Sequence, residues 1–200
     1  MRKIIVYIAT SADGYIARPD GSVDWLNRPE AAGDYGMGAF RRSIDAIIMG
    51  RKTYEFGLRH GARFGTRPKH YVFSQNSAGL VVAPGVEFVS EEPAEFAKRL
   101  RVKRGKHIWM MGGAELIAAF IDQGQIDEFI IHVIPTLIGE GIPLIAPEHR
   151  EIPLKLQSCK SYSDGVVRLH YAVATKVQNG STARHARSNK TLQPPNRAPR

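Results

Sequence analysis

The sequence predicts an α/β domain with a mainly parallel sheet and antiparallel strands at one edge. Three observations carry this reading. Short apolar runs alternate with helical patterns through the first 175 residues. The first of those runs is nearly continuous rather than alternating, as expected of a strand covered on both faces. The pattern then ends in two strand-like segments joined at Asp164-Gly165, a good hairpin signal.

Residues 3–10 (KIIVYIAT) form a β-branched apolar run, the first strand. Residues 14–24 carry DG, PDG and GS punctuation and read as a loop. Residues 30–43 read as a helix weakened by Gly33, Gly36 and Gly38. The second strand, 45–49 (DAIIM), runs into Gly50-Arg51-Lys52-Thr53-Tyr54, where another helix is expected. Residues 70–74 (HYVFS) and 86–90 (VEFVS) are strands three and four. Residues 93–103 read as a helix with Pro93 in the first turn and Phe96, Ala97 and Leu100 on one face. Strand five, 107–111 (HIWMM), meets a tight turn at Gly112-Gly113, and a helix over 114–123 follows with Gly124 placed to cap it. Strand six is 128–134 (EFIIHVI), and 154–162 with 166–174 make the terminal hairpin.

The 200 residues suit one domain with an appendage, and 43% hydrophobic content is enough for a core. No apolar run is long enough to cross a bilayer as a helix, which needs roughly 18 to 20 residues. The basic start and short apolar run pass straight into Ser11-Ala12-Asp13-Gly14 with no small-residue cleavage site, so a strand rather than a signal peptide is expected. The single cysteine, Cys159, forbids an internal disulfide, fits a reducing cytoplasm, and is expected to serve only in packing. The net charge of +9 divides unevenly: residues 176–200 hold six Lys and Arg and no acid, whereas residues 1–175 hold 22 against 19 acids. A domain over 1–175 and a disordered basic tail over 176–200 are therefore expected. Weak contact between the tail and nucleic acid is the only nucleic-acid binding foreseen, since no aromatic is interleaved with its cations. No membrane association is expected.

In an open α/β sheet, ligands bind beyond the carboxyl ends of the strands. Two strand ends here are glycine-led. Gly50-Arg51-Lys52-Thr53 combines a close-turning glycine, two cations and a hydroxyl near a helix N-terminus, which suits either a phosphate site or a surface turn. Gly112-Gly113-Ala114-Glu115 suits either a backbone pressed against a ligand or a plain β–α turn. There is no Gly-x-Gly-x-x-Gly, Walker A lysine or Gly-x-Ser-x-Gly pattern. The seven histidines show no metal-ligand spacing, no metal site is expected, and His132 reads as a packed or hydrogen-bonded core residue.

The ordered segments SADGYIARPDGSVDWL, DAIIMGRKTYE, HYVFS, IWMMGGAEL and IIHVIPTLIGEGIPLI together resemble the dihydrofolate reductase superfamily. They are most similar to stand-alone relatives of the reductase domain of riboflavin biosynthesis, the C-terminal half of the RibD deaminase/reductase. The resemblance spans about residues 2–174 and implies the dihydrofolate reductase-like three-layer fold. It implies that Gly50, Arg51, Lys52 and Thr53 bind the phosphates and nicotinamide edge of NADPH. Gly112 and Gly113 would form a cis peptide beside the cofactor, and Ala114, Glu115 and Leu116 would offer helix N–H groups to phosphate. Ser74, with Gln75 nearby, would lie by the adenosine 2′-phosphate. Ala9 and Ile16 would line the nicotinamide pocket under a mobile loop, 14–24. Arg51, Lys52 and Ser74 favour NADPH over NADH, since a 2′-phosphate calls for cations and donors.

On the substrate side the resemblance is incomplete. Asp34 stands sixteen residues before Gly50, the spacing of the buried helix carboxylate of dihydrofolate reductases, but is also open to reading as a solvated residue. The strand-six threonine that partners such a carboxylate is replaced by the neighbourhood Ile130-Ile131-His132. Asp13 matches the Ser-x-Asp-Gly of the riboflavin group and either touches substrate or braces the loop. The Asp-Asp-Pro that follows the second strand in that group is missing. Asp34 and Asp13 are the candidate catalytic residues. The resemblance implies a cytoplasmic homodimer that reduces a small heterocycle: a ribosylaminopyrimidine phosphate first, dihydrofolate or another pteridine second. A nucleotide-binding scaffold without turnover is the reading from another class.

Overall fold

The computed structural model describes residues 1–28, 33–76 and 78–174. The expected tail and the first residues of the expected helix 30–43 lie outside the described residues. Six parallel strands form most of one sheet: β1 (Ile4–Ser11), β3 (Ile44–Gly50), β4 (Lys69–Phe73), β5 (Val86–Val89), β6 (His107–Gly112) and β7 (Glu128–Ile134). β9 (Leu154–Ser161) and β10 (Val167–Val173) complete it antiparallel, in the order β5-β4-β3-β6-β1-β7-β10-β9. A second sheet pairs two short strands, β2 (Tyr15–Ala17) and β8 (Ile142–Pro143). Among the described residues, four α-helices complete the fold: α1 (Met37–Ser43), α2 (Arg51–Arg59), α3 (Pro93–Arg101) and α4 (Ala114–Asp122).

Alternation along a strand explains the three layers. On β1, Ile4 and Val6 turn to the side where Phe96 and Leu100 of α3 and Ile117 and Phe120 of α4 pack. Ile5 and Tyr7 turn to the other side, against Phe40 of α1 and Tyr54 of α2. Both faces are covered, so the run must be apolar at every step. The helices show the matching stripe. Ala114, Ile117, Ala118 and Ile121 recur on one face of α4, and Pro93, Phe96, Ala97 and Leu100 on one face of α3; all are buried. This is the dihydrofolate reductase-like architecture, and the strands that position the site lie where the sequence predicts them.

Three departures have physical causes. The expected helix 30–43 is shorter, beginning only at Met37. Gly33 and Gly36 have φ of 109° and 89° and Tyr35 has φ of 51°, so the preceding chain turns left-handed rather than helical. The loop 14–24 and the stretch after β7 contain β2 and β8, strands too short to show periodicity. Cys159 does not pack: it is exposed, because β9 is the outermost strand and every residue of it is exposed. Among the described residues, no helix is long and apolar enough to cross a membrane.

Candidate functional site

Because β1, β3, β4, β6 and β7 run parallel, their carboxyl ends emerge along one edge. A cavity of about 1520 Å³ lies there, reached by Ala9 of β1, Gly50 of β3, Met111 of β6 and His132 of β7. Ile16 and Ala17 of β2 and Pro143 of β8 close over it. The lid is tied down by the β2–β8 pairing, by the Leu144 N–H donating to the Gly14 carbonyl at 3.2 Å, and by an Arg18–Asp24 ion pair at 2.6 Å.

At one end two glycine-led turns meet. Gly50 is the N-cap of α2 and Gly113 the N-cap of α4, and neither helix start has a side-chain cap. A Cβ on Gly50 would lie 3.9 Å from the Gly112 oxygen and the Gly113 nitrogen, and one on Gly113 would lie 3.6 Å from Thr53 Oγ1, so the turns abut. The Gly112–Gly113 peptide bond is cis. Arg51, Lys52 and Thr53 of one first turn and Ala114, Glu115 and Leu116 of the other all line the cavity. Two helix N-termini with orphan N–H groups and aligned dipoles favour an anion between them. Arg51 pairs with Glu55 at 3.5 Å, and Lys52 with Glu115 at 3.2 Å. These are surface pairs of small worth, so both cations remain available to a ligand. Ser74 lines the cavity farther along, beside Gln75, its hydroxyl donating to the Asn76 carbonyl at 2.6 Å. Gly112 itself is not on the lining; it faces Ile117 and Ile8.

The other end is aromatic and nearly uncharged at its floor. Tyr7 and His132 are each 5% exposed and line the cavity with Trp109, Met111 and Tyr35. Burial pushes the Tyr7 phenol up to about 12 and holds the His132 imidazole below its usual value. Thus His132 is the buried, hydrogen-bonded residue its strand suggests, but it also faces the cavity.

The two candidate carboxylates stand elsewhere. Asp34 lines the cavity but is exposed, ahead of α1 rather than within a helix. It accepts the Gly36 and Gly38 N–H groups, each at 2.9 Å, and these bonds hold its carboxyl below the usual range. Asp13 is outside the lining. Its carboxylate accepts the N–H groups of Ile138 at 3.1 Å and Gly139 at 2.8 Å, tying the end of β1 to the loop after β7. The Ser11 hydroxyl and these N–H groups hold its carboxyl low. Tyr7, Tyr35, Trp109 and Arg28 also line the site, and the sequence reading did not single them out. The available signal was a polar tip inside an apolar strand, as at Tyr7 in KIIVYIAT. Among the described residues, no cluster of three His, Cys, Asp or Glu side chains could hold a metal.

The crevice lies at the carboxyl edge of a parallel sheet with two uncapped helix starts at one end, and its donor set fits a dinucleotide diphosphate. The model of the RibD C-terminal domain matches residues 2–168, and the chain belongs to that family. It is 41% identical over 174 residues to YwjB, an uncharacterized protein of Bacillus subtilis strain 168, covering 86% of this chain and 99% of that one. The fold is similar to that of a Shewanella sp. PV-4 protein provisionally named for riboflavin biosynthesis, with a TM-score of 0.71 and 26% identity over 86% of this chain and 99% of that one. It is also similar in fold to the dihydrofolate reductase of Enterococcus faecalis solved with NADP(H), with a TM-score of 0.59 and 15% identity over 86% of this chain and 97% of that one.

Proposed function

We propose that the chain is an NADPH-dependent reductase that delivers hydride to the carbon of the C=N bond in the ring-opened imine form of a ribosylaminopyrimidine phosphate, while the nitrogen takes up one proton, as a 5-amino-6-(5-phosphoribosylamino)uracil reductase does. The observation that carries this reading is the meeting of the α2 and α4 starts, at Gly50 and Gly113, at one end of a cavity large enough for cofactor and substrate together. Bound NADPH supplies the hydride. The chain's residues would do the rest. The first turns of α2 and α4 hold the diphosphate, and Arg51, Lys52 and Ser74 meet the 2′-phosphate. Ala9 and Ile16 press on the nicotinamide, while β2 and β8 exclude water. The exposure of Asp34 favours the pyrimidine over a pteridine, since a solvated carboxylate is a poor proton store for a ring nitrogen. The same reading takes the molecule as a homodimer, because β9 leaves Leu154 and Leu156 exposed on an uncovered edge.

The test is calorimetric titration with NADPH, followed by NADPH oxidation with the ribosylaminopyrimidine phosphate and, separately, with dihydrofolate. Turnover of the pyrimidine supports the reading, turnover of dihydrofolate alone moves it to a pteridine reductase, and tight binding without turnover makes the chain a scaffold.

A further inference from the structure

Two tyrosine hydroxyls and one imidazole nitrogen converge on one backbone acceptor at the aromatic end of the cavity. The Tyr35 carbonyl oxygen lies 3.2 Å from Tyr162 Oη, 3.2 Å from His132 Nε2 and 3.4 Å from Tyr7 Oη. Tyr7 Oη and His132 Nε2 are also 3.4 Å apart. A carbonyl oxygen has two lone pairs, and Tyr162 with His132 suffices to fill them. The Tyr7 hydroxyl is left with the longest contacts, beyond the roughly 2.7–2.8 Å typical of a hydroxyl donor. Both of its contacts are long, so a better-placed acceptor in the cavity could take the proton at little cost.

The surroundings say what that partner is. Tyr162 is not on the cavity lining, whereas Tyr7 and His132 are. The Tyr7 ring is fixed by stacking on Phe40, with centroids 4.3 Å apart, and by the edge of Trp109 at 6.2 Å. The Trp109 indole N–H is consumed by the Tyr7 carbonyl at 2.9 Å, so it offers the cavity no competing donor. Arg168 of β10 adds positive potential at both Tyr7 and His132.

We infer that the Tyr7 hydroxyl reads a hydrogen-bond acceptor on the substrate ring, with His132 as its positioning residue, so that the site selects oxo-substituted nitrogen heterocycles over amino-substituted ones. This rests on the reductase reading for the identity of the cavity but concerns only the chain's own side chains. A flat ring between Met111 and Trp109 would present its carbonyl to Tyr7 Oη, and that contact would shorten as the ligand seats.

The experiment measures calorimetric affinities, without cofactor, for two probes: 5-amino-6-(ribitylamino)uracil, which carries ring carbonyls, and 2,4-diaminopyrimidine, which carries none. The wild-type chain is expected to prefer the uracil. Tyr7→Phe, which keeps the ring and its stacking, is expected to reduce that preference about tenfold. His132→Ala is expected to reduce the same preference, where a merely structural role would weaken both probes alike. Tyr162→Phe, which frees a lone pair of the Tyr35 carbonyl for the Tyr7 hydroxyl, is expected to lower the preference in the same direction. A Tyr7→Phe chain that binds the uracil as well as wild type overturns the inference, as does a wild-type chain without the preference. NADPH titration of the wild type is run in parallel: failure there overturns the reductase reading, while the probe preference still decides the inference.

Discussion

Gly141 packs so closely on Ala17 that a Cβ there would overlap the Ala17 carbonyl oxygen. That contact sets the spacing of β2 and β8, the strands that close over the cavity. Gly141→Ala is expected to force them apart and to destabilise the fold by about 1–3 kcal/mol, the usual cost of overpacking. Ligand affinity should fall with it. Urea unfolding and NADPH titration of the variant check both, and an unchanged pair of values would mean that the lid relaxes freely.

NADPH should bind at least tenfold better than NADH, since losing charge-assisted contacts to the 2′-phosphate costs roughly 1.5–3 kcal/mol each. Arg51→Ala should remove much of the difference while leaving the melting temperature unchanged, because among the described residues its ion pair is the exposed one with Glu55. Calorimetry with both cofactors measures it. Equal dissociation constants in the wild type would remove Arg51, Lys52 and Ser74 from this role.

Tyr54 is fully buried, and its hydroxyl donates to the Val81 carbonyl at 2.8 Å while accepting the Ala83 N–H at 3.1 Å. Tyr54→Phe leaves both groups without their partner. A loss of about 1–3 kcal/mol is expected in denaturant unfolding. A neutral result would show that water takes the hydroxyl's place.

Stability should also fall in mild acid. His70 is 7% exposed, and burial lowers its pKa from the ordinary 6.5; burial lowers His132 likewise. The folded chain therefore favours the neutral rings while the unfolded chain accepts protons. The stabilisation is present in full above the unfolded value and is lost as pH falls below it. Thermal melts between about pH 7.5 and pH 5 should show the decline, in a window above most carboxylate titration. His70→Phe should flatten it. A curve of the same slope in that variant would assign the effect to other groups.

Much of this was legible in the sequence, for identifiable reasons. A strand buried on both faces has no freedom in polarity, so KIIVYIAT and DAIIM announce themselves. The glycine-led turns at Gly50 and Gly113 are legible because each glycine stands directly between an apolar strand run and a helical pattern. Other features depend on partners that no local pattern reveals. β2 is defined by a strand more than a hundred residues away, and β8 is only two residues long. Asp13 could have touched substrate or braced a loop, and only the position of Gly139 shows the bracing bond. A lone Cys159 suggested packing, yet among the described residues β9 is exposed along its whole length. Tyr7 was read as apolar because its ring is, yet it lines the cavity and carries a hydroxyl.

The place of β1 has a consequence for synthesis. Its neighbours are β6 and β7, with Ile5 opposite Trp109 on one side and Glu128 on the other. β3, β4 and β5, by contrast, lie side by side in the order they are made. A chain leaving the ribosome can therefore begin its sheet in the middle of the sequence, while the first strand waits for partners about a hundred residues downstream. Through that interval KIIVYIAT is an exposed apolar segment with unpaired edges. It is the stretch that a nascent-chain chaperone would be expected to hold, and the one that would seed aggregation in a chain truncated before residue 107.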